Sequence, residues 1–244
     1  MNVRIAAAFL AFVALTGAAA AQTLDLGALA PQGAPATGRI VQIIAILTVL
    51  SIAPSLLVMT TCFTRLVVAL SFLRSGLGLQ TTPANIIVIS LALFMTLFIM
   101  APTFDKAWTE GVKPALDNKI GETEAFEKIT TPFREFMSKN VREKDLALLD
   151  GLAHDSIRGK AGAQVDMRVL VPAFMMSELR RGFEIGFLIA LPFLVIDMIV
   201  ATLTMAMGMM MLPPSIIALP IKVLFFVLID GWSLLVGSLI RSYG

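Results

Sequence analysis

The sequence predicts an all-α, membrane-associated protein with four long apolar segments and one charged, extracytoplasmic helical segment. Three observations predict it. The chain is 57% hydrophobic and only 15% charged, with a mean hydropathy of +0.87, where soluble domains carry roughly a quarter charged residues. The charges are segregated, 27 of the 36 Asp, Glu, Lys and Arg residues falling between Asp105 and Glu184. The flanks hold uncharged runs long enough for a bilayer core, which takes about 20 helical residues.

Residues 1–21 place Arg4 before an apolar stretch from Ile5 to Leu15 and small residues Ala18 to Ala21. That order is a secretory signal peptide cleaved after Ala21, its apolar stretch being only about half a span. Residues 22–38, with Pro31 and Pro35, read as a flexible leader. Residues 39–104 hold the first apolar pair. Ile40 to Thr64 is uncharged between Arg39 and Arg65, with Pro54 expected to kink it, and Ile86 to Ala101 is the second core. The piece between them carries Arg65 and Arg74 and no acid, so positive-inside bias makes it a cytoplasmic loop and puts residues 105–184 outside.

In that outer segment Phe126, Ile129, Phe133, Phe136 and Met137, then Leu146, Leu149 and Leu152, recur at helical spacing. Its 13 basic and 14 acidic residues nearly cancel, which describes a solvated helical surface. Residues 185–244 form the second apolar pair, Ile185 to about Met207 and Ile216 to Ile240.

Catalytic and metal chemistry lack their parts. One cysteine, Cys62, and one histidine, His154, leave no disulfide and no His/Cys ligand set. No phosphate-binding glycine loop, nucleophile elbow or HExxH helix occurs. A net charge of +2 does not suggest nucleic acid. The expectation is a non-enzyme with no cofactor.

The charges inside the apolar segments are the informative ones. Asp197 lies near the middle of the third, and Lys222 and Asp230 lie within the fourth. A charge at the centre of a lipid-facing helix costs about 2.5–3.5 kcal/mol even on lenient scales, so these side chains should face protein or a cavity. Lys222 needs an acid, and Asp197, Asp230 and Glu178 are available within the chain or across an oligomer. Pairing is favoured over an ion relay, which needs a more continuous series of ionisable groups.

Pro172 suits a first helical turn, and Glu178 with Arg181 and Arg180 with Glu184 are spaced to meet along that helix. Beyond it, Met205, Met207, Met209, Met210 and Met211 crowd before Pro213 and Pro214. Methionines repack around changing shapes, and two prolines stop the helix. In a ring of copies such a turn makes a deformable apolar constriction.

Three blocks carry a family resemblance. PAFMMSELRRGFEIGF (Pro172 to Phe187), Thr64 to Pro102, and Leu191 to Pro214 with LPFLVIDMIV and MGMMMLPP resemble, in order and spacing, the FliP family of flagellar type III export-gate proteins and its virulence-secretion relatives. The resemblance covers nearly everything from Arg39 onward. It implies helical hairpins held largely above the bilayer plane and a helical oligomer of about five copies. FliQ-like and FliR-like membrane subunits and a larger FlhB-like export protein complete the assembly, which sits in the bacterial inner membrane within the flagellar basal body. Unfolded flagellar proteins would pass outward through the pore.

The resemblance implies further that Met209, Met210 and Met211 form the pore gasket and that Glu178 and Lys222 form an intersubunit or buried ion pair. Asp197, Asp230 and Arg181 are the other buried charges expected. The signal peptide favours the flagellar branch. The alternative function is a small secondary transporter or ion channel subunit using Asp197, Lys222 and Asp230.

Overall fold

The computed structural model describes residues 44, 47–48, 51–52, 54–79, 84–154, 165–208 and 213–243. The expected signal peptide (1–21), the leader (22–38) and the methionines at 209–211 lie outside the described residues. The chain divides into two units, Met1–Ala53 and Pro54–Gly244. In the first, the described residues are helical; Thr48 and Ser51 return their hydroxyls to the carbonyls of Ile44 and Leu47 at 2.8 and 2.7 Å.

The second unit is all-helical among the described residues. Helix α1 (Pro54–Thr60) meets α2 (Phe63–Gly76) at an 82° bend. The bend falls at Thr61 and Cys62, where the Thr61 hydroxyl accepts the Phe63 N–H at 3.4 Å. Helix α3 (Asn85–Lys106) runs on through a π-helical turn (Ala107–Val112) to Leu116. The charged region contributes α4 (Glu122–Asn140) and α5 (Glu143–Leu152). Helix α6 (Met167–Ala206) is the 40-residue backbone of the molecule, and α7 (Pro214–Leu228) and α8 (Gly231–Arg241) follow with a 64° bend between them.

Two sequence expectations about element boundaries give way here. The supposed loop from Arg65 to Arg74 is helical, because Leu66, Ala69, Leu70 and Leu73 form a 3–4-spaced stripe that is buried. The boundary at residues 184 and 185 falls inside α6, which continues from charged to apolar sequence without interruption. Helix α6 starts at Met167, with the Asp166 carboxylate accepting the Arg168 N–H at 2.8 Å. Pro172 therefore sits in the second turn, where the prolyl nitrogen has no hydrogen to donate.

The centre of the fold is the contact between α2 and α6. Glycines let the two backbones approach: an added Cβ would stand 3.1 Å from Val68 at Gly182, 2.7 Å from Phe72 at Gly186 and, from the other side, 3.1 Å from Phe193 at Gly76. The contacts advance together, Arg65 with Glu178, Val68 with Gly182, Phe72 with Gly186 and Gly76 with Ala190. Both helices therefore run in the same direction. Close approach through small residues is how helices gain packing when lipid offers no hydrophobic drive.

Each of these parallel helices is the first arm of a hairpin. Helix α2 ends at Leu77, and Gly78 takes the left-handed conformation (φ 77°) that closes a helix. Helix α3 returns, packing Met95 and Met100 into the core with Leu66 and Leu70. Helix α6 ends before Gly208 (φ 73°), and Pro214 opens α7 at its first position. The second hairpin is longer. From Ala190, level with Gly76, α6 continues to Ala206, sixteen residues or about 24 Å at ~1.5 Å each.

At the other end of α2, α4 covers the packed helices with Phe133, Phe136 and Met137. Phe136 meets Phe174 edge-on, and Phe133 meets Phe104 in the same way. Ile129 packs on Gly111 of the π-helical turn, where a Cβ would fall 2.5 Å from its Cγ1. Phe126 and Leu152, expected on the buried stripe, remain exposed on the single chain.

The α2–α6 contact makes a mutational prediction. Gly186→Val should destabilise the protein by about 1–3 kcal/mol, as overpacking does, read as a lower unfolding temperature of the detergent-purified protein. Gly121→Ala, whose Cβ meets nothing within 4 Å, should leave that temperature unchanged.

Candidate functional site

Two charge clusters lie along the helix pair, and a hairpin tip lies beyond them. The first cluster is built at the start of α2. Arg65 and Glu178 are both fully buried, and they pair in a fork: Nε donates to Glu178 Oε2 at 3.0 Å and Nη2 to Oε1. The remaining arm, Nη1, donates to the Ser242 hydroxyl at 2.9 Å and its carbonyl at 3.2 Å.

Tyr243, just beyond α8, completes the enclosure. Its hydroxyl donates to Glu178 Oε2, its ring lies 3.7 Å from the Arg65 guanidinium carbon, and its other face stacks on Phe136. Burial, reinforced by the Glu178 charge, pushes the phenol's pKa up, so the hydroxyl keeps the proton it donates. Planar, bidentate, aromatic-stacked recognition is what a guanidinium offers and an ammonium does not.

Next to Glu178 in the chain, Ser177 ties the charged region to α6. Its buried hydroxyl accepts the Arg142 N–H at 3.0 Å, satisfying the start of α5, and lies 2.7 Å from Asp145 Oδ2. Sequence reasoning missed Arg65, Ser177, Ser242 and Tyr243. Arg65 has a signal, being the first charge after a 25-residue uncharged run, but by hydropathy alone that position marks only the edge of a span.

The second cluster lies at the far end of α2. Lys222, from α7, is almost fully buried and donates to the Gly76 carbonyl at 3.0 Å and to Asp197 Oδ2 at 2.5 Å. The ammonium thereby sits where a helix C-terminus favours positive charge. Of the three acids open to Lys222, Asp197 is the partner within the chain. Glu178 and Lys222 are not brought together within one chain. They are level with Arg65 and Gly76 respectively, eleven residues apart along α2, or about 16 Å, so a Glu178–Lys222 pair between copies requires both to exchange partners.

The other charges expected to be buried are placed differently on the single chain. Asp230 is exposed, because it occupies the bend between α7 and α8 in the left-handed conformation (φ 51°) instead of the middle of a straight helix. Asp197 and Arg181 are partly exposed. Asp197, Lys222 and Asp230 therefore do not form a continuous relay. Arg180 and Glu184 pair on the surface at 2.9 Å as their spacing suggests, a contact of little energetic weight. Among the described residues no group of three His, Cys, Asp or Glu side chains could hold a metal ion.

The outer faces are apolar. Phe183, Phe187, Leu194 and Met198 of α6 and Leu224 and Val227 of α7 are exposed. Two helices, Asn85–Leu116 and Met167–Ala206, are long and apolar enough to cross a membrane, and each bent pair adds a further candidate. A protein that pairs its charges inside and turns its apolar faces outward is an all-helical membrane protein of the kind that gains its remaining packing from lipid or neighbouring chains.

The chain belongs to the FliP family, whose model matches residues 46–239. It is 56% identical over 244 residues to the flagellar biosynthetic protein FliP of Rhizobium meliloti (strain 1021), covering 98% of this chain and 99% of that protein. It is 62% identical over 207 residues to FliP of Agrobacterium fabrum (strain C58), covering 84% of each. Against FliP of Bacillus subtilis (strain 168) it is 50% identical over 203 residues, covering 83% of this chain and 91% of the relative.

Two predictions follow from the clusters. Arg65→Met, which strands the buried Glu178, should cost about 3–5 kcal/mol, more than Tyr243→Phe, and the Arg65→Met/Glu178→Met double variant should lose less than the sum of its single changes. Thermal unfolding of the purified variants checks the order. Asp197→Asn should lower the unfolding temperature, whereas Asp230→Asn should not; equal effects would contradict the geometry.

Proposed function

We propose that this chain is a core, non-enzymatic subunit of the flagellar type III protein export gate. About five copies assemble with FliQ-like and FliR-like membrane subunits and meet a larger FlhB-like protein, in the bacterial inner membrane. Unfolded flagellar proteins leave through the pore that the assembly encloses. The names of the family's flagellar relatives support the apparatus.

The long second hairpin carries the pore reading. It extends past the first hairpin and ends in exposed Met205 and Met207 and the glycine at 208. Such a projecting arm presents the following residues to the axis of a ring without disturbing the charge clusters behind it. On this reading Met209, Met210 and Met211 form a compressible gasket that excludes water when closed and yields to a passing chain. The outward apolar faces of α6 and α7 meet neighbouring subunits and lipid.

Deleting Met209 to Met211 should leave assembly intact, as judged by the native mass of the co-purified complex, while the membrane becomes permeable to small ions. Unchanged conductance and unchanged secretion together would sink the gasket role. A stable lone monomer on co-expression with the partners would sink the gate reading itself.

A further inference from the structure

An apolar cavity between the two hairpins has no part in the gate reading. Its walls come from α2, α3, α7 and α8 and include Leu73, Val88, Leu91, Val223, Phe226 and Trp232. Its volume is about 190 Å³, larger than the ~150 Å³ apolar cavity that suffices to take up benzene. One charged residue lines it, Arg74.

The charge on Arg74 is not neutralised within the described residues. Its Nη1 donates to Asn85 Oδ1, a neutral acceptor at the start of α3, and no ion pair with a described carboxylate is formed. A guanidinium has five N–H donors, so most of its capacity remains. The contrast with Arg65 is direct: one arginine of α2 is saturated inside the protein, the other opens onto a cavity.

The chemistry that suits such a site is an apolar tail with a negative head. Two features favour a lipid over a protein side chain. Residues 75–104 carry no charge, so Arg74 borders an apolar segment, as interfacial anchors do, and half-exposed Trp232 is of the residue type enriched at the same level. The cavity is also continuous with exposed apolar surface, since Ile87 and Val227 line it while remaining more than half exposed. An acyl chain entering there has further apolar surface to follow.

We propose that this cavity binds an anionic phospholipid, its phosphate on Arg74 and a stretch of one acyl chain between Leu91 and Phe226. The headgroup fixes the lipid at the seam of the two hairpins, and the chain fills a space that otherwise weakens their contact. The site is independent of the gasket and stands or falls separately from it.

The test uses the complex purified with its co-expressed partners. Delipidated complex is offered phosphatidylglycerol or phosphatidylcholine of matched chains, and retained lipid is counted by native mass spectrometry. Wild type should retain phosphatidylglycerol about fivefold better, the preference supplied by one cation at an anionic membrane surface. Arg74→Gln should bring the ratio to one, and Leu91→Trp, which fills the cavity, should lower retention of both lipids. No preference in wild type, or a preference that survives Arg74→Gln, overturns the site. Loss of a partner subunit from Arg74→Gln with lipid retention unchanged assigns the cavity to a protein carboxylate instead and also overturns it. If Arg74→Gln does not assemble, brominated lipids decide in wild type: the fluorescence removed by Trp232→Phe should be quenched more by brominated phosphatidylglycerol than by brominated phosphatidylcholine. Equal quenching overturns the proposal.

Discussion

The parallel seating of α2 on α6 is the constraint on which the rest of the unit depends, and the buried Arg65–Glu178 pair sets its register. Neither side chain is accessible to solvent, and an isolated buried charge is far more costly than a paired one is beneficial. A slip of one helical turn in either direction would leave both charges without their partner, and a slip in one direction would also press Phe72 against Ala190 in place of Gly186. Charge and steric fit therefore select the same register. Ser242 and Tyr243 complete the pair only when the second hairpin has folded back along its full length, which couples the two hairpins through one polar knot.

The second cluster works at the opposite end of the same helix. Lys222 covers the open carbonyl of Gly76 and meets Asp197, so the shorter hairpin is tied at its turn to both arms of the longer one. Between these two polar ties the contact is almost purely a matter of shape, with Gly182 and Gly186 of one helix receiving Val68 and Phe72 of the other and Ala190 facing Gly76. Polar ties specify the arrangement, and close packing fills the space between them. That division is expected where the surroundings are as apolar as the side chains.

Beyond the ties, α6 and α7 expose apolar side chains over most of their outward surface. The buried charges Arg65, Glu178 and Lys222 all have partners inside the unit, while its packing is unfinished. This combination suits an assembly subunit: copies and partners associate through apolar faces, while the charges that hold each subunit in shape are kept out of those contacts. The charged helices α4 and α5 belong to the same packed unit, since Phe136 touches both Phe174 and Tyr243 and Ser177 satisfies the start of α5.

The helical class, the apolar segments and the demand of Lys222 for an acid were legible in composition and spacing, whereas the helix stop expected at Pro213 and Pro214 falls earlier, at Ala206 before left-handed Gly208, and Pro214 opens the next helix. These properties are local, because hydropathy, periodicity and proline stereochemistry act over a few residues. The identity of partners was not legible. Glu178 has one arginine at helical spacing, Arg181, yet its partner is Arg65, 113 residues away, and burial of Asp230 follows from sequence only if the helix around it is straight. The sequence by itself determined which residues must be helical, which faces are apolar and which charges need company. Only the tertiary structure decided who pairs with whom, because a parallel helix seating and two bends bring together residues that no local periodicity relates.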